Sequence, residues 1–208
     1  GYYDHNYLCL LERVRDHLPP AAGPHLPRQR LWKVRARQVV LATGAIERPL
    51  VFADNDRPGI MLASAARAYV NRYAVRPGRR AIVFTNNDGA YRTALDLLHA
   101  GIGVSVVDLR PNPEGDLPAR ARAAGIDIRA GHAVTGTKGR HRIASVQVQR
   151  LGDLGDQVEG AGESMPCDLL CVSGGWNPTV HLHSQSRGAP LYEADRALFL
   201  PGESHQAE

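Results

Sequence analysis

Ala81-Ile82-Val83-Phe84-Thr85-Asn86-Asn87-Asp88-Gly89-Ala90 and, some distance on, Gly103-Val104-Ser105-Val106-Val107-Asp108 are the segments on which the fold turns. Ala81–Phe84 is a short unbroken apolar run, the pattern of a strand buried on both faces. Thr85–Asp88 collects residue types that cap helices. From Gly89 to Ala100 apolar residues recur at helical spacing (Ala90, Ala94, Leu97, Leu98), and Gly101 closes the run. Gly103–Val107 is a second strand that ends at Asp108. Strand, tight turn, helix and strand make a βαβ unit, whose strands pair in parallel.

Working outward, Leu117–Ala124 predicts a further short helix and Ile126–Arg129 a strand. Ile143–Leu151 alternates and predicts a strand in a meander, with 152–162 as a Gly- and acid-rich hairpin loop. Cys167–Ser173 predicts a last buried strand that runs into Gly174-Gly175. Upstream, Ser64–Tyr73 predicts a helix capped by Ser64, and 49–60 an irregular connection. Gln38–Thr43 holds Val39-Val40-Leu41-Ala42 and predicts a core strand that stops at Thr43-Gly44-Ala45. Leu31–Arg37 alternates as a half-buried strand, 18–30 is a Pro-rich loop (Pro19, Pro20, Pro24, Pro27), and Tyr7–Val14 is a strand. Pro77-Gly78 is a turn that predicts a lobe boundary. The expected architecture is α/β: a Rossmann-like βαβ lobe with a β-meander over 78–185, inserted into a partial second dinucleotide-binding lobe. That outer lobe comprises 1–77, with 186–208 as a return segment.

The chain has 208 residues, 43% hydrophobic and 22% charged, which excludes a disordered tail, a collagen or a coiled coil. No apolar run is long enough to span a membrane, and no secretory leader pattern opens the chain. The net charge is +4, yet the Arg residues are scattered among acids, with no basic run and no aromatic stacking motif. No nucleic-acid or membrane partner is expected. Cys9, Cys167 and Cys171 fit neither a zinc ribbon nor a C-x-x-C pair and read as reduced thiols of a cytoplasmic protein.

A dinucleotide turn needs glycines to make the bend, to admit the pyrophosphate and to seat helix on strand. Here those positions hold Thr85, Asn87 and Ala90, flanked by Asn86. Asp108 closes the second strand about twenty residues on, where a carboxylate would take the ribose hydroxyls. Asn87 puts a side chain at the pyrophosphate position, and Asp88 puts a negative charge at the helix start. Two readings stay open: a Rossmann lobe that no longer binds nucleotide, or a site for NAD, with Arg110 tolerating the phosphate of NADP. No catalytic residue is identified. His181-Leu182-His183 on a strand would put two imidazoles on one face, but no third ligand is suggested, so no metal site is expected. Asp54-Asn55-Asp56-Arg57-Pro58 is either a self-bonded loop or the lining of an interlobe crevice.

Two further strand-to-turn segments, Val39–Ala45 and Asp168–Pro178, flank the βαβ unit. Together they resemble flavoproteins with two dinucleotide-binding domains, in which an A-T-G turn closes the first lobe and a D-x5-G-x2-P turn the second. Tyr3-Asp4-His5-Asn6, Leu31–Ala36, Ala42–Met61, Phe84–Leu97 and Ser173–Leu182 narrow the resemblance to the α subunit of heterotetrameric sarcosine oxidase. Hydrogen cyanide synthase and dye-linked proline or opine dehydrogenase subunits share the turns but less of the detail. The resemblance implies an oxidoreductase that converts sarcosine to glycine with oxygen and passes one carbon to tetrahydrofolate. It implies NAD in the α subunit, FAD and FMN in the wider complex, and β and smaller subunits as partners. On it the chain is an internal segment of a longer polypeptide, inactive alone and prone to self-association. Thr43, Gly44 and Ala45 would close over a dinucleotide held in the outer lobe, and the turn Thr85–Asp88 belongs to an inner lobe that need not bind anything; Thr85, Asn86, Asn87, Asp108, Gly174 and Gly175 are the candidate cofactor-binding residues there. A non-catalytic scaffold module is the competing reading; an independent NADH-dependent reductase is disfavoured by the lack of C-x-x-C.

Overall fold

A computed structural model describes residues 1–19 and 23–204. Pro20 of the expected loop and the last four residues of the expected return segment lie outside the described residues. In chain order the first strands are β1 (Tyr2–Tyr3), β2 (Tyr7–Arg13), β3 (Gln29–Arg35), β4 (Ala45–Glu47) and β5 (Ile60–Leu62). Then come α1 (Ala63–Tyr73), β6 (Arg80–Thr85), α2 (Gly89–His99), β7 (Gly103–Asp108), α3 (Asp116–Ala123) and β8 (Asp127–Ala130). β9 (His132–Gly139), β10 (Ile143–Leu151), β11 (Val158–Pro166), β12 (Leu169–Ser173), β13 (Trp176–Pro178), α4 (His181–Gln185), β14 (Pro190–Glu193) and β15 (Leu198–Pro201) follow.

The larger compact unit is Glu47–Trp176. Its centre is a five-stranded sheet in the order β5-β12-β6-β7-β8, and the paired strands run parallel. Ala81–Phe84 of β6 and Leu169–Val172 of β12 are apolar because both faces of these strands are covered. Successive side chains point to opposite faces. Ala81, Val83, Leu169 and Cys171 therefore join Ala63, Ala66, Tyr91, Ala94 and Leu97 of α1 and α2 in one core. Ile82, Phe84, Leu170 and Val172 join Val134, Ile143, Val146 and Val148 in a second core under the antiparallel layer β9-β10-β11. The βαβ prediction thus holds element for element. The unit begins earlier than the turn at Pro77-Gly78, because β5 hydrogen-bonds to β12 and α1 packs on α2's side of the sheet.

The smaller unit comprises Gly1–Ile46 and Asn177–Glu208. It contains the antiparallel sheet β1-β2-β3 and the hairpin β14-β15. Gln185 of α4 accepts the Tyr2 amide at 3.1 Å. A short ladder pairs β4 with β13.

Several expectations need correction. Residues 38–44 form no strand, and Val40 is 89% exposed. An apolar run becomes a core strand only when neighbours pair with it and cover it, and the described residues of its unit supply none. β3 pairs with β2 along its whole length but is exposed throughout, because pairing alone covers neither of its faces. Residues 158–162 lie in β11 rather than in a loop; Val158 and Glu159 pair with Leu151 and Arg150 of β10, 160–162 span the register shift before Glu163 pairs with Val148, and their exposed side chains leave no pattern. β9 was not foreseen. Ser64 lies inside α1 instead of capping it.

Candidate functional site

β6 and β7 end side by side, with Thr85 opposite Asp108 in the ladder. The turn after β6 is held by its own polar groups. Thr85 Oγ1 accepts the Asn87 amide at 3.0 Å and donates to the Asn87 carbonyl at 3.1 Å. The Asn87 side chain spans to the end of β12, donating to the Ser173 carbonyl at 3.2 Å and to Ser173 Oγ at 3.1 Å. It also reaches Asn86 Oδ1 at 3.2 Å. The position that glycine leaves open in a dinucleotide turn is therefore filled by an amide with three partners.

Asp108 is fully buried. Its Oδ1 accepts the Arg110 amide at 2.9 Å and Arg110 Nε at 3.1 Å. Its Oδ2 accepts Arg110 Nη2 and the Tyr91 hydroxyl, each at 2.8 Å. Arg110 Nη1 continues to Asp88 at 2.8 Å. Asp88 is thus turned to Arg110, and makes no side-chain cap on α2. Burial, with Asp108 beside it, raises the Tyr91 hydroxyl far above its usual range and keeps it a donor. Bonding to Asp108 first, and to Asp88, raises the Arg110 guanidinium further still. As arranged, Asp108 has no free oxygen for a ribose, and Arg110 has no free charge for a 2′-phosphate. The residues of the inner turn do not fit a bound dinucleotide.

Gly174 is required by packing. A Cβ there would lie 2.9 Å from the Pro49 carbonyl oxygen and 3.2 Å from that of Arg48. The same strand end exchanges Gly174 N–H to Arg48 O at 2.7 Å and Arg48 N–H to Gly175 O at 2.8 Å. Gly175 has φ +94°, which favours glycine. Thr43-Gly44-Ala45 is exposed and sits in the other unit. Thr43 Oγ1 donates to the Thr179 carbonyl at 2.7 Å, and Gly44, at φ +68°, accepts the Thr179 amide at 3.0 Å. A Cβ on Gly44 would meet nothing within 4 Å.

The Asp54–Pro58 cluster is a bonded loop on β9. Thr137 Oγ1 donates to the Asp54 carbonyl at 2.7 Å, and Arg57 donates to Thr137 Oγ1 and the Gly139 carbonyl. His181 and His183 lie on α4, not on a strand, so they do not share a face. Among the described residues no group of three His, Cys, Asp or Glu side chains is placed to hold a metal, and no helix is long and apolar enough to cross a membrane. Cys9, Cys167 and Cys171 are free thiols.

The sequence reading missed Glu47, Tyr91 and Trp176. Glu47 is only 6% exposed, and one of its oxygens accepts the Ser64 amide at 2.8 Å, giving α1 the cap that Ser64 was expected to supply. Tyr91 was not among the inward positions read from the helix; it is fully buried, its hydroxyl needs a partner, and a strand-end carboxylate on the next strand was the available signal.

A parallel sheet with helices on one face and a three-stranded antiparallel layer on the other defines the class of fold: α/β with a Rossmann-like lobe. L-proline dehydrogenase from P. horikoshii superposes with a TM-score of 0.57 at 22% identity, over 84% of this chain and 28% of that one. Thioredoxin reductase from T. acidophilum superposes with 0.58 at 14% identity, over 72% of this chain and 48% of that one. Within that class, the chain is similar along nearly its whole length to sarcosine oxidase subunit alpha. The Corynebacterium sp. (strain P-1) protein is 42% identical over 203 residues, 97% of this chain and 21% of that protein. The Rhizobium meliloti (strain 1021) protein is 42% identical over 204 residues, 97% of this chain and 19% of that protein. The chain thus spans about a fifth of the length of these curated relatives. No protein-family model matches it.

Proposed function

We propose that the chain is the nucleotide-domain segment of the α subunit of a flavin-dependent sarcosine oxidase. It supports oxidative demethylation of sarcosine to glycine in the cytoplasm without supplying a reacting group. The observation that carries this reading is the 42% identity over 97% of the chain to sarcosine oxidase α subunits. FAD and FMN belong to the wider complex, with β and smaller subunits as partners. NAD belongs to the outer lobe, under the exposed turn Thr43-Gly44-Ala45, whose open face at Gly44 leaves room for a nucleotide to approach.

In this division of labour the inner unit is a rigid framework. Asn87 and Arg110 occupy the positions of pyrophosphate and ribose contact, so Thr85, Asn86, Asn87 and Asp108 hold the turn rather than a ligand. Gly174 and Gly175 hold the end of β12 against residues 48–50.

Two measurements test the reading. The full-length gene product, co-expressed with its neighbouring subunits, is assayed for sarcosine-dependent oxygen uptake; absence of uptake from a flavin-loaded complex refutes the activity. Calorimetric titration of this chain with NAD, and with FAD for comparison, is expected to give no saturable heat from folded protein. Saturable NAD binding that Asp108→Ala abolishes would restore the inner lobe as the dinucleotide site.

A further inference from the structure

In the smaller unit, β1, β2 and β3 carry one row of side chains across their sheet. Tyr3 pairs with Tyr7 and Tyr7 with Arg35, so all three project from the same face. Lys33, two residues before Arg35 on β3, projects from that face as well. Tyr3, Asp4, Tyr7, Arg35, Gln185 and Arg187 line a groove of about 440 Å3 at this row. The two tyrosine rings, with centroids 6.2 Å apart, give it an apolar wall. Asp4 is the acid of this lining, and Arg187 Nη2 holds its carboxylate at 2.6 Å. The Arg35 and Lys33 side chains are exposed and bond to no described residue, which leaves the groove net positive.

The larger unit carries the complementary surface at the turn between β10 and β11, Gly152-Asp153-Leu154-Gly155-Asp156-Gln157. This turn is bonded to itself: the Gly152 amide donates to the Gln157 carbonyl at 2.9 Å, and the Gly155 amide to the Gly152 carbonyl at 2.8 Å. Asp153 and Asp156 flank Leu154, whose side chain is 88% exposed. Glu159, near the start of β11, adds a third exposed acid. None of these three carboxylates bonds to a described residue. Like charge keeps two grooves apart and two turns apart, whereas a groove and a turn attract. We infer that the β10–β11 turn of one copy of this chain docks in the Tyr3–Tyr7–Arg35 groove of a second copy. Leu154 lies against the tyrosine rings, and Asp153 and Asp156 face Arg35 and Lys33. The two surfaces differ, so a pair of copies keeps one groove and one turn free, and growth continues beyond the pair. A turn in a groove covers less than the area of a stable interface, so the Kd is about 0.1 mM at low salt. The inference does not rest on the sarcosine oxidase reading.

Sedimentation velocity on the full chain, from about 10 μM to about 1 mM, tests it. The average mass is expected to rise steadily with concentration at about 50 mM salt and to return toward the monomer at about 500 mM, where exposed pairs are screened. Lys33→Glu together with Arg35→Glu makes the groove acidic, and Asp153→Lys together with Asp156→Lys makes the turn basic. Each double variant alone is expected to stay monomeric where the parent associates, since its groove and turn then repel. Mixed in equal amounts, the two are expected to associate again, because each groove meets a turn of opposite sign. A parent chain still monomeric at about 1 mM overturns the proposal. So does association that either folded double variant leaves unchanged, or a mixture that stays monomeric. Leu154→Ala removes the apolar contact without altering charge and is expected to weaken association about tenfold. Should circular dichroism show a double variant to be unfolded, Leu154→Ala decides the matter, and an unchanged Kd overturns the proposal.

Discussion

Tyr91→Phe removes one oxygen from the centre of the β6–α2–β7 unit. Tyr91 and Asp108 are both fully buried, and the lost bond is the 2.8 Å contact from hydroxyl to Oδ2. A hydrogen bond to a charged group contributes about 1.5–3 kcal/mol. Arg110 Nη2 still holds the same oxygen at 2.8 Å, so the expected loss lies near the lower bound, about 1.5–2 kcal/mol. For a chain of this size that lowers the melting temperature by roughly 3–8 °C. Asp108→Asn leaves Arg110 beside a neutral amide and should cost more, about 2–4 kcal/mol, because it removes a buried charge from its partners. The double variant should fall short of the sum by about 1 kcal/mol or more, since both changes remove the same bond. Urea unfolding followed by far-ultraviolet circular dichroism measures all four corners of the cycle. A Tyr91→Phe protein within about 0.5 kcal/mol of the parent, or a coupling near zero, refutes the argument that Asp108 is committed to the interior.

The Asp168 carboxylate accepts the Arg79 amide at 2.9 and 3.0 Å and the Arg80 amide at 2.8 Å. Burial pushes its pKa up, but the Arg80 and Arg79 amides and the Arg142 charge outweigh that and hold it below the usual carboxylate range. Its contribution is thus present above the unfolded-state pKa, about 4, and lost as pH falls through the lower folded value. Asp168→Asn should flatten the acid limb of a urea-midpoint-against-pH curve; an unaltered limb refutes this. Gly174→Ala drives a methyl against two backbone carbonyls, and about 1–3 kcal/mol of stability should be lost; an unchanged melting temperature would show that the 48–50 segment yields freely. In a thiol-labelling time course on native protein, Cys9 should react first. Cys167, pushed by burial to about 11, and the fully buried Cys171 should react only after urea is added, and native labelling of either refutes their place in the sheet.

How much of this was legible follows from where each signal resides. β6, α2 and β7 announced themselves because a strand covered on both faces and a helix on one of them impose patterns that local sequence must carry, as Val83, Phe84, Ala94 and Leu97 do. Val39–Ala42 carries the same apolar run and forms no strand, since pairing is a property of neighbours and not of the run. The site behaves likewise. Spacing located Asp108 at a strand end, but its environment is set by Tyr91 on the preceding helix and by Arg110 just beyond the strand. Glu47 and Trp176 lie far apart in sequence, and no local pattern announces that they share a cavity. The missing glycines read as damage only while the turn is considered alone. Once Asn87 is seen bonded to Ser173, and Arg110 bridging Asp88 to Asp108, the same substitutions supply partners inside the protein for the Asp108 carboxylate and the Arg110 guanidinium. A turn that had merely decayed would leave Asp108 buried and unanswered, at a cost of several kcal/mol. The complete pairing of that carboxylate is what the framework role proposed for the inner unit requires.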